Sequence, residues 1–315
     1  MKKVLSLFLF IFLTLPLFAA EDWAILKNNI SSNKVLKALI QPKGRVSYCI
    51  DGSQTQVIPD IEKVFQIWFD NVLSYRNIYP DFDNTFKEIV PILERKNKMV
   101  LQQCATPYTE KGFQDQEINN FISQKPGYKF APQKPNLRIS FCYKQECLME
   151  GVGGYCEIEN KPEKRVIAAL DAKNIIVSLA HELGHTLSIG DVLYAKEKND
   201  YRYGYHNLDT IMYTHEGFTC DDADSIVAIL YMAMEKPKTF YSFCGDKIFE
   251  NGERKPLKFL KNSFGKDFKK YEKLENLNKI YDKPIKEMAS DFNIRMLQLK
   301  LKQDPNYIKN MQNLL

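Results

Sequence analysis

Apolar positions along this chain recur with two periods, and the change from one to the other marks out its elements. Arg165-Val166-Ile167-Ala168-Ala169-Leu170 is a short, mostly apolar run that predicts a strand. Asp171 follows as a candidate helix N-cap. From there Ile176, Leu179, Leu183 and Leu187 are spaced by three and four, as one helix face turned toward a core. Asn136 to Tyr143 predicts another strand. Near the end, Leu257, Leu260, Phe264, Phe268, Tyr271, Leu274 and Tyr281 keep the spacing of an amphipathic helix. Pro284 breaks it, and Ile285, Met288, Phe292, Met296 and Leu299 predict a further helix before Pro305. Between Ala105 and Pro135 no period survives among prolines, glycines and polar residues, which reads as an insertion or long loop. Gly151 to Gly154 reads as a turn; it lacks the lysine and helix start of a phosphate loop.

The first twenty residues are a separate matter. Lys2-Lys3, an apolar run from Val4 to Phe18 and the small residues Ala19-Ala20 form the pattern of a secretory signal peptide. The run falls short of the roughly 20 residues a spanning helix needs, so the expectation is an exported protein: periplasmic, surface-associated or secreted. Seven cysteines without CxxC pairs agree, reading as disulfides of an oxidising compartment rather than as metal ligands. Cys220 with Cys244, and Cys142 with Cys147 or Cys156, are candidate pairs. The odd count leaves one thiol, expected to be inert.

Charge divides the remainder. Residues 21–240 hold 26 Lys/Arg against 29 Asp/Glu, whereas 241–315 hold 16 against 10. The expected organisation is a lead-in over 21–44 with one short helix, a main domain over 45–240 and a Lys-rich helical extension over 241–315. Packing of that extension on the main domain and docking to an acidic surface or partner both stay open. Nucleic acid is not an expected partner, since the surplus is modest and no recognised binding motif accompanies it.

The chemistry is concentrated in His181-Glu182-Leu183-Gly184-His185. Residues four apart on a helix lie one above the other, so two imidazoles face one point where a Zn2+ ion can sit. Glu182 stands beside the first ligand, placed as general base for a water activated there. A catalytic zinc usually takes three protein ligands, and Asp191, just after Gly190 where the helix would end, is the candidate third. Glu197, His206 and His215 are the alternatives. About thirty residues beyond the motif, Asp209-Thr210-Ile211-Met212-Tyr213 is a short segment able to pass beneath the metal.

His181 to Asp191 followed by this methionine turn resembles the metzincin superfamily of zinc endopeptidases, in which HExxHxxGxxH/D precedes a Met-turn. Phe218 to Ile226 is similar to the helix that follows that turn in matrixin-like members. Val46 to Ile50, and Val64 to Val72 with Trp68, resemble their first strand and first helix. The resemblance covers about residues 45–235, weakly between 80 and 137. It implies an α+β fold, a twisted mixed sheet with an active-site helix and a C-terminal helix. It also implies His181, His185 and Asp191 as zinc ligands, Glu182 as catalytic base, Met212 as the floor of the site and Tyr213 in the substrate-pocket wall. One position departs: Ser188 stands where the pattern has glycine, which suits a turn with positive φ. A protein or peptide substrate would lie extended along an edge strand, for which Gly154 to Glu159 is the candidate. Two other readings stay open: a zinc hydrolase of non-protein amides or cell-wall peptide cross-links, and a binding protein on a decayed protease scaffold.

Overall fold

The computed structural model describes residues 25–52, 59–102, 104, 135–142, 154–157, 164–169, 174–191, 210–213, 217–245, 247–250, 252–256, 270, 271, 274, 281–306 and 308. The signal-peptide segment, most of the 105–135 loop, and Glu197, His206 and His215 lie outside them.

The fold is mixed α/β. Its larger sheet has five strands: β1 (Val46–Gly52), β2 (Met99–Leu101), β3 (Leu137–Cys142), β4 (Gly154–Glu157) and β5 (Lys164–Ala169). They lie in the order β2-β1-β3-β5-β4. The first four of that order are mutually parallel, and β4 runs antiparallel to β5 at the edge. Parallel strands covered on both faces carry apolar residues at successive positions. Accordingly Tyr48, Cys49 and Ile50 of β1 and Val166, Ile167 and Ala168 of β5 are all buried.

Two helices set the position of the site. Helix α3 (Ile61–Leu73) starts where the Asp60 carboxylate accepts from the Lys63 amide, and it buries Val64, Phe65, Trp68, Phe69 and Val72. Helix α6 (Ile175–Thr186) lies across β5 and β4 and packs on α3. Its N-cap is Asn174, whose side chain accepts from the Val177 amide at 3.3 Å. The expected cap, Asp171, sits three residues earlier and outside the described residues, so the helix begins later than the sequence reading placed it. Trp68 spans the α3–α6 interface, its indole N–H donating to the Ala180 carbonyl at 3.0 Å. Helix α7 (Cys220–Ala233) follows the methionine segment and packs against α3.

The lead-in carries two helices rather than one, α1 (Lys27–Ile30) and α2 (Lys34–Ile40). Ile25, Ile30, Val35, Leu36 and Leu39 are buried in the main core. Short helices α4 (Phe82–Thr85) and α5 (Val90–Leu93) connect α3 to β2.

The C-terminal part is not wholly helical. β6 (Phe240–Tyr241), β7 (Lys247–Glu250) and β8 (Glu253–Pro256) form a small antiparallel sheet. Phe240 and Phe243 are buried against Phe86, so residue 240 marks a change of charge but not of packing. The apolar spacing over 257–281 falls mostly outside the described residues. The last expected helix is present as α8 (Lys283–Gln303), with Pro284 in its first turn. It packs on α6 and α3 through Ile285, Ala289 and Phe292, while Ile294 and Leu297 face solvent.

Disulfides join Cys220 to Cys244, as the sequence suggested, and Cys49 to Cys104, which it did not. Cys156 lies buried in β4 and belongs to neither. Both bonds fit a chain that folds in an oxidising compartment. No helix among the described residues is long and apolar enough to cross a membrane.

Candidate metal centre

His181 and His185 sit one turn apart in the second half of α6, their rings edge to face with centroids 4.7 Å apart. Asp191 comes back toward them after the helix ends. Its Oδ1 lies 3.1 Å from His181 Nε2 and 3.5 Å from His185 Nε2. Ligand bonds of roughly 2.0–2.1 Å in a tetrahedron put neighbouring donors about 3.3 Å apart. Taken together, the three donor atoms lie within 4.8 Å of one another, a span compatible with a shared ion.

The other ring nitrogens fit the same purpose. His181 Nδ1 pairs with the Ile211 carbonyl at 3.0 Å and His185 Nδ1 with the Ile189 carbonyl at 2.7 Å. A carbonyl only accepts, so each Nδ1 carries a proton, and in the neutral ring that leaves the Nε2 lone pair for a metal. With both rings neutral, the donor set is two imidazoles and a carboxylate, suited to Zn2+.

Glu182 is buried beside them. Its Oε2 has no hydrogen-bond partner among the described residues. Its carboxyl is pushed up to about 7, chiefly by burial, with the charge of His181 acting downward and that of Asp191 upward. For His181, burial works downward but is outweighed by the Asp191 hydrogen bond and the charges of Glu182 and Asp191, so its pKa is raised.

Two glycines let neighbours approach. A Cβ on Gly154, the first residue of β4, would lie 2.7 Å from Glu182 Cγ and Oε1, so the edge strand begins against the glutamate. A Cβ on Gly184 would lie 2.5 Å from Trp68 Cζ2 and 2.8 Å from Met212 Sδ. Met212 is thus buried directly against the helix turn that carries the histidines. Tyr213 follows, half-buried against the core.

Residues that sequence reading did not single out hold these parts in place. The Thr210 hydroxyl donates to the Asp222 carboxylate at 2.8 Å and accepts from the Met212 amide at 3.2 Å. Asp222 also accepts from the Thr219 amide at 2.7 Å, closing a capping box at the start of α7. Burial pushes the Asp222 carboxyl up to about 7, opposed by the Thr219 amide and the Thr210 hydroxyl. The sequence signal was available in Thr219-Cys220-Asp221-Asp222, a capping pattern before an apolar run.

Ser188 takes φ of 69°, a left-handed conformation that glycine adopts most readily. Its amide donates to the His185 carbonyl at 2.9 Å and the Ile189 amide to the Gly184 carbonyl at 3.2 Å. These two bonds are the Schellman pattern that ends a helix, with serine in the usual glycine position.

Comparison with protein-family models, with curated proteins and with solved structures finds no match to this chain.

Proposed function

We propose that this chain is an exported, zinc-dependent endopeptidase with a metzincin-like, matrixin-like catalytic centre. The observation that carries the proposal is the convergence of His181 Nε2, His185 Nε2 and Asp191 Oδ1 beside a buried Glu182 carboxylate. Polar atoms left unpartnered in a protein interior call for an explanation, and a proton-transfer role supplies one.

A zinc ion held by these three residues would supply Lewis acidity to a peptide carbonyl and lower the pKa of a water toward about 7. The chain's own groups do the rest. Their backbone partners keep both imidazoles in the ligating tautomer. Glu182 takes a proton from the water as its oxygen bonds to the carbonyl carbon, and delivers a proton to the amine nitrogen as the C–N bond breaks. The outer side of β4 meets no other strand among the described residues. An extended peptide pairing with that edge would run past Gly154 and so past Glu182. Polypeptide is therefore the favoured substrate class over other amides.

The test is Glu182→Gln. The zinc-loaded variant should retain wild-type metal content and lose all but about a thousandth of the cleavage of an unfolded protein, judged by the usual weight of a general base. Substantial cleavage by that variant would remove Glu182 from the role. A wild-type protein that cleaves only cell-wall cross-links in a substrate panel would move the reading to the other hydrolase class.

A further inference from the structure

The turn that follows the two histidines is held by a residue far away in the chain. Asn33, just before α2, is buried, and both ends of its amide are occupied. Its Oδ1 accepts from the Val35 and Leu36 amides, which leaves Nδ2 facing α6. Nδ2 donates to the Ser188 hydroxyl at 2.7 Å and to the Thr186 carbonyl at 2.9 Å. The Leu26 amide adds a bond to the Ser188 carbonyl at 2.9 Å.

Serine has no intrinsic preference for φ of 69°, and only surrounding structure keeps it there. The groups that do so are the helix-ending bonds and this lead-in segment. The consequence reaches the metal donors within three residues. Ile189, next in the chain, offers the carbonyl that orients His185, and Asp191 follows two residues on. A Ser188 that relaxed to negative φ would redirect both.

We propose that Asn33 is a positioning residue of the metal centre, locking the Ser188 turn so that His185 and Asp191 converge. The inference rests on the zinc reading above and deepens it. Residues 25–33 become part of the site's frame rather than a segment whose removal would unmask it.

The test measures zinc affinity of the full exported chain by competition with a chromophoric chelator, alongside melting of the metal-free protein. Partners that orient metal ligands typically contribute roughly 10–100-fold in affinity, and Asn33→Ala is expected to lose affinity in that range. Ser188→Gly should bind within about twofold of wild type, because glycine adopts the turn unaided. The decisive variant combines both: with glycine at 188, Asn33→Ala should recover most of the lost affinity. A merely structural role for Asn33 would leave the double variant as weak as Asn33→Ala, and that result overturns the proposal. So does an Asn33→Ala protein that binds zinc like wild type. If that variant does not fold, Asn33→Ser keeps a capping oxygen for the first amides of α2 and removes the Nδ2 donor. It should show the same weakening and the same rescue. Wild type and Ser188→Gly that fold yet bind no zinc would instead refute the metal reading itself.

Discussion

Two buried ionisable side chains are shifted by their surroundings, one at the site and one far from it. Glu182 is the case at the site. Lys98 is the case away from it. Its ammonium is buried, donating to Gln66 Oε1 and to the carbonyls of Leu93 and Arg95, with Nζ 4.6 Å from the Phe69 ring centre. Burial lowers its pKa to about 7; the charge of Asp70 opposes this and that of Arg95 adds to it. The unfolded chain holds that proton to a pH of about 10.4, so between the two values it binds more protons than the folded chain. Stability therefore rises with pH across this window. Urea unfolding of wild type and Lys98→Met should show it: wild type gains on the variant by on the order of 2 kcal/mol between pH 7 and 9. A constant difference would mean that Lys98 stays charged throughout. Ser188 shows what was legible at this scale. The pattern's glycine marked 188 as suited to positive φ and its serine as a departure, and the chain takes that φ with serine; Asn33, which supports it from 155 residues away, left no signal because an N-cap residue looks the same whatever its amide nitrogen touches.

Elements were legible where their period was strong. The α6 face of Ile176, Leu179 and Leu183 and the strands over 137–142 and 164–169 lie where the apolar pattern put them, a strand starts at Val46 where the resemblance suggested one, and β4 starts at Gly154, at the end of a glycine run read as a turn. The β7–β8 hairpin was not visible, since Lys247-Ile248-Phe249-Glu250 and Glu253-Arg254-Lys255-Pro256 are too short and too charged to read as strands. The start of α6 was misplaced because Asp171 and Asn174 are both good caps, and only tertiary packing chooses between them. Between elements, the join of α7 to the methionine segment depends on Asp222. Its removal strands the Thr210 and Thr219 hydroxyls and the Thr219 amide in a buried place. Asp222→Ala should therefore lose about 3 kcal/mol of stability. Zinc affinity should fall with it, because Ile211, next to Thr210, orients His181. Calorimetry and chelator competition on one preparation check both; stability lost with affinity intact would detach this network from the metal donors.

At the scale of the whole molecule, three distant stretches meet at one place. The lead-in supports the end of α6, the edge strand opens beside Glu182, and the methionine segment passes under Gly184. The C-terminal region shares the same core through Phe240, Phe243 and Phe292. Charge composition hid that continuity, because lysines can cover a packed helix without changing what its other face buries. The disulfides at Cys49–Cys104 and Cys220–Cys244 tie the sheet and α7 to their neighbours and agree with export. The proposed centre stands on three donors closing on one ion. Zinc content after dialysis, measured for wild type, His181→Ala, His185→Ala and Asp191→Ala, tests it most directly. One equivalent in wild type and loss in all three variants is the expected result. A folded wild type without zinc, or an Asp191→Ala protein that keeps its full equivalent, would contradict it.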